Sequence, residues 1–135
     1  MDRYVFNPLL NAPLRYVHPL QAGAVAHIAG QSFSQDIEYI ILFGSSLNLT
    51  CGATSDLDLY VISEHEPEAV YKEVYDHCKN MGRPFDILVS TMEDFDEEKL
   101  VPGTVENQVL REGLCVYAKT KNSLLWQIAV YQAGK

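Results

Sequence analysis

Asp56 and Asp58 stand two apart in the run DLDLYVIS, and a further acid, Asp86, lies between Phe85 and Ile87 in the run PFDILVS. Side chains two apart on a strand point the same way. Asp56 and Asp58 therefore project together, with Leu57 and Leu59 facing the other side. Two carboxylates ~4 Å apart repel by about 4 kcal/mol at an effective dielectric of roughly 20. Without relief, one of them takes up a proton. A hard divalent cation is the natural relief, and Mg²⁺ accepts carboxylate oxygens together with substrate phosphate. Asp is disfavoured inside strands, so Asp86 also calls for a reason. On a strand beside the Asp56/Asp58 strand it would bring three carboxylates together. Such a group can hold two metal ions for an in-line phosphoryl-type displacement. Upstream, Gly44, Ser45 and Ser46 follow an apolar run. A Gly-Ser turn offers backbone N–H groups and a hydroxyl to the β- and γ-phosphates of a nucleotide, and Ser46 adds a second hydroxyl. Taken singly, Gly44 and Ser45 are ordinary turn residues; their weight comes from the downstream acids.

Strands and helices are needed to hold these residues. Ile37 to Phe43 (IEYIILF) is nearly all apolar and reads as a central strand buried on both faces. Asp56 to Ser63 and Arg83 to Ser90 read as further strands, and Leu114 to Lys119 (LCVYAK) as a fourth. Helices are expected from Pro19 to Ala29 and from Pro67 to about Lys79, the latter with Val70, Tyr71, Val74 and Cys78 on one face. Thr91 opens a short acidic helix in a capping-box pattern. Another helix spans Val105 to Arg111, and Asn122 or Ser123 caps a last one carrying Leu124, Leu125, Ile128 and Tyr131. Residues 1–18, rich in Pro and aromatics, read as an irregular lead-in. The interleaving gives an α/β (α+β) class, with a small mixed sheet of about four strands flanked by helices. One domain accounts for all 135 residues.

The residues resemble the minimal nucleotidyltransferases of the DNA polymerase β superfamily. Their signature is an apolar strand, Gly-Ser, about ten variable residues, then Asp-x-Asp followed by apolar positions. Gly44, Ser45, Asp56 and Asp58 occupy those places. Asp86 stands where the family's third strand carboxylate would lie, and LREGLCVYAK resembles the Glu-Gly turn into its last strand. The likeness covers about residues 20–120. It implies transfer of NMP from Mg·NTP, with ATP as the default donor, to an acceptor hydroxyl. Asp56, Asp58 and Asp86 would hold two Mg²⁺ ions, and Gly44, Ser45 and Ser46 would seat phosphates. The acceptor would be a small molecule or a protein. Small relatives of this kind also act as antitoxins of helical HEPN proteins, and a non-catalytic nucleotide-binding module is a further alternative. Asn48 and Leu49 stand where many relatives carry Arg and Gly, which removes a cation from the phosphate side.

Composition narrows the partners. The net charge is −8, which argues against polymeric nucleic acid, whose phosphates call for surplus Lys and Arg. Arg83, Lys72, Lys79, Arg111 and Lys119 remain candidates for contact with triphosphate. Cys51, Cys78 and Cys115 are scattered and odd in number, so neither a disulfide framework nor a zinc knuckle fits. None of the four histidines has a partner at metal-ligand spacing. No apolar run reaches the ~18 residues of a membrane span, and the N-terminal stretch lacks the apolar segment of a secretory signal. A cytoplasmic setting is expected. The last helix, with Trp126 and Tyr131, could pack on its own sheet or in an oligomer.

Overall fold

The computed structural model describes residues 4–7, 12–16, 19–34, 36–44 and 56–119. Ser45, Ser46, Asn48, Leu49 and the helix expected after Asn122 lie outside them. Four strands form a mixed sheet in the order β5-β4-β3-β6: β3 (Ile37–Phe43), β4 (Leu57–Ser63), β5 (Phe85–Ser90) and β6 (Leu114–Ala118). β3 runs antiparallel to both β4 and β6, whereas β4 and β5 are parallel. A parallel pair needs a long crossover, and α2 (Pro67–Cys78), extended by a 3-10 turn at Lys79–Met81, lies in it.

Two cores follow from the alternation of side chains along the strands. On one face Ile40, Leu42, Leu57, Leu59 and Val61 pack with Val25 and Ile28 of α1 (Pro19–Ala29) and with Val70, Val74 and Cys78 of α2. On the other, Tyr39, Ile41, Phe43, Tyr60 and Ile62 pack with Phe95 of α3 (Met92–Glu98) and with Val109 and Leu110 of α4 (Val105–Glu112). Helices therefore cover both faces, which is why Tyr39 to Phe43 are all buried. Each large side chain so enclosed contributes about 1.5–3 kcal/mol. Local signals start the helices on the acidic side of the sheet. The Thr91 hydroxyl accepts from Asp94 N at 3.1 Å, and that of Thr104 from Asn107 N at 3.0 Å. Each satisfies an otherwise orphan donor of a first turn.

Several details differ from the sequence-based expectation: β4 begins at Leu57 rather than Asp56, and β6 ends at Ala118 rather than Lys119. β1 (Tyr4–Asn7) and β2 (Ala12–Tyr16) pair antiparallel where an irregular lead-in was expected. Tyr, Val and Phe favour strands, and a two-stranded ribbon has only edges, where Pro13 is tolerated. β5 begins at Phe85 rather than Arg83, because the preceding Pro84 has no N–H to give the ladder. Tyr71 does not share the buried face of Val70, Val74 and Cys78; it lies at the rim, 45% exposed. Among the described residues no helix is long and apolar enough to cross a membrane.

Candidate active site

The acids meet at one end of the sheet. Phe43 closes β3 opposite Asp58 of β4, and Asp58 lies opposite Asp86 of β5. Directly paired residues share a face, so Phe43, Asp58 and Asp86 form a row on the side covered by α3 and α4. Gly44 then turns the chain with φ +88°. A Cβ there would overlap Asp58 Oδ2 and lie 3.3 Å from Asp58 Cγ. Glycine is thus required twice, by the backbone angle and by the closeness of the carboxylate. Asp56 stands one residue ahead of β4. Leu57 N donates to the carbonyl of Pro84 at 3.1 Å, so the β4–β5 ladder starts just after it.

Burial raises the pKa of Asp58, and the neighbouring charges of Asp86 and then Asp56 raise it further. The charges of Asp86 and Asp56 thus reach Asp58 through space. Asp58 is partly buried, while Asp56 and Asp86 are exposed. A cation at Asp58 would relieve both the desolvation and the repulsion, so this donor set suits a hard divalent ion. Among the described residues, however, no three His, Cys, Asp or Glu side chains form a ready-made metal cage. The acids share a field at an open edge.

A cavity of about 620 Å³ opens over this row. Gly44, Asp58 and Asp86 line one part, and its walls include Leu88 of β5, Tyr71 of α2, and Val105 and Gln108 of α4. Among the described residues no Lys or Arg lines it. The wall residues carry no motif and were not foreseen; only the pairing of elements reveals them. Behind the wall, Tyr60 Oη donates to Glu106 Oε2 at 2.7 Å, tying the first turn of α4 to β4 two residues from Asp58. The cations proposed for phosphate are engaged elsewhere. Lys72 and Lys79 reach Asp76, at 3.5 and 3.4 Å, and Lys119 pairs with Asp36. Arg111 donates to Asn107 Oδ1 at 2.9 Å. Arg83 lines a second hollow of about 410 Å³ with His27 and Gly82.

The family profile described as Polymerase beta, Nucleotidyltransferase matches residues 28–122. That span runs from the end of α1 past β6 and includes Gly44, Asp56, Asp58 and Asp86. No curated protein matches the chain.

Proposed function

Because the chain belongs to the polymerase beta nucleotidyltransferase family, we propose that it transfers NMP from a magnesium-bound nucleoside triphosphate, ATP by default, to a hydroxyl of a small-molecule or protein acceptor. The observation that carries this reading is the register that sets Asp58 beside Asp86 at the Gly44 turn. Asp56, Asp58 and Asp86 would hold two magnesium ions, which when bound supply Lewis-acid stabilisation of the charge on the triphosphate. Gly44, Ser45 and Ser46 would seat the phosphates by main-chain N–H and hydroxyl groups. Asp86, exposed on the edge strand, would orient the acceptor hydroxyl and take its proton. The acceptor oxygen then bonds to the α-phosphorus as the bond to pyrophosphate breaks. Asp58 is partly buried, and positioning of reacting groups is where such sites gain most of their rate. A HEPN-type protein is one acceptor of the protein class, and the negative surface disfavours a nucleic-acid strand.

The test is thermal unfolding with each of four NTPs, with and without Mg²⁺, followed by transfer of label from the α-phosphate. A ligand at 100 times its Kd adds about 2.7 kcal/mol, a shift of several degrees for a domain of this size. The expected result is a Mg-dependent shift with one NTP that is lost in Asp58→Ala. Asp86→Ala should keep part of the shift and lose transfer. Equal shifts and equal labelling in the wild type and both variants would sink the assignment.

A further inference from the structure

β5 is an edge strand, and among the described residues only β4 pairs with it. Edges are usually blunted by Pro, Lys or a bulge. FDILVS has neither Pro nor Lys, its one charged residue is Asp86, and its register against β4 runs unbroken from Phe85 to Ser90. The carbonyl of Pro84 points to β4. By alternation, Asp86 and Leu88 turn their main-chain groups to β4, while Phe85, Ile87 and Val89 turn theirs outward. Exposed apolar side chains flank this edge, which is unpaired on its outer side among the described residues. Leu88 is 46% exposed; Tyr71 and Tyr75, 45% each, stack with centroids 6.3 Å apart, and Tyr75 lies 5.3 Å from Phe85. The cavity touches Asp86, Ile87 and Leu88 of β5 together with Tyr71 of α2 and Val105 of α4, helices on opposite faces of the sheet. A fifth strand laid there would find apolar cover on both sides.

Charge selects the occupant. A second copy pairing through β5 would join two chains of net charge −8 at an edge that already carries Asp86. Among the described residues the lining carries Asp58 and Asp86 and no Lys or Arg. We infer that β5 receives an extended segment of a partner protein that bears Lys or Arg, paired through the main chain of Phe85, Ile87 and Val89. An added strand lies about 4.8 Å away, with Cβ atoms of directly opposed residues about 5 Å apart. A Ser, Thr or Tyr placed opposite Asp86 therefore reaches the acids. Only this last point rests on the transfer reading: the hydroxyl oxygen bonds to the α-phosphorus, the bond to pyrophosphate breaks, and the proton passes to Asp86.

The probe is a library of 12-residue peptides with one central hydroxyl residue and randomised flanks, selected on the full chain without nucleotide. Selected peptides should alternate apolar residues with Lys or Arg. On binding, the amides of Phe85, Ile87 and Val89 should exchange at least tenfold more slowly, with those of Asp86 and Leu88 unchanged. Leu88→Lys should weaken binding at least tenfold, and Leu100→Lys, at a 71% exposed position, should not. N-methylation of alternate backbone positions in a selected peptide should abolish binding to the wild type, a check independent of any variant's folding. No selection, acidic winners, or protection away from β5 would overturn the docking site. Peptides that protect β5 yet accept no label from any Mg·NTP would leave docking intact and refute the transfer reading. Label passing to small hydroxyl compounds, with no peptide bound, would do the reverse.

Discussion

Gly44→Ala probes the closest approach in the site. Alanine at φ +88° costs about 1–2 kcal/mol in the backbone. A smaller entropy of the unfolded chain returns about 0.5 kcal/mol of that. The new Cβ also overlaps Asp58 Oδ2. The carboxylate can yield by rotating, at about 0.5–1.5 kcal/mol for an off-rotamer side chain. The expected loss is about 1–3 kcal/mol. In an Asp58→Ala background the overlap vanishes and only the backbone part remains. Urea unfolding of the four proteins of this cycle isolates the coupling, expected at about 0.5–1.5 kcal/mol. Displacing Asp58 should also weaken Mg·NTP binding at least tenfold, more than the stability loss alone explains. A coupling within about 0.3 kcal/mol of zero would refute the claim that glycine is there to admit the carboxylate.

Burial, and then the charges of Asp86 and Asp56, hold the pKa of Asp58 above its ordinary 3.8. Its contribution to stability is therefore full below that value and is lost as pH rises through the raised pKa. Asp58→Asn, without Mg²⁺ or nucleotide, should be more stable than wild type at pH 7 and lose the advantage near pH 3, as read by urea midpoints. Tyr60→Phe removes the donor to Glu106 and should cost about 1–3 kcal/mol, with m unchanged and KM rising more than kcat falls, since α4 walls the cavity. At Gly113 a Cβ would stand 2.5 Å from the Val109 carbonyl oxygen and 2.7 Å from Ile41 Cγ2. Gly113→Ala should lose about 1–3 kcal/mol by overpacking, visible as a lower midpoint in thermal unfolding. Phe95, fully buried beside Tyr60, should cost about 3–5 kcal/mol on truncation to Ala, measured the same way.

The central strand was plain in the sequence because IEYIILF has one polar residue, Glu38, and helices do cover both faces. Capping at Thr91 was equally legible, since the pattern is local. Strand order was not. Periodicity tells which face of a strand is buried but not which strand lies beside it, so the placing of Asp86 next to Asp58 came only with the register. The hidden overlap at Gly44 has the same origin, because it depends on Phe43 pairing with Asp58. Tyr71 shows a different failure. Helical spacing puts it near Val70 and Val74, yet a stripe has borders, and at a border the edge of the sheet decides exposure. Val105 and Gln108 had no signal at all, being wall residues selected by shape.

The two acid-bearing strands run parallel, and this bears on how the chain assembles. No tight turn can bring Asp58 beside Asp86; the chain first has to return along the sheet through α2. Such non-local pairing forms slowly, because loop closure precedes any reward from contact. Leu59, Val61, Val70 and Val74 come together in the same step. The packing that this crossover brings to β4 and α2 therefore stands against the acid–acid repulsion that the same pairing creates.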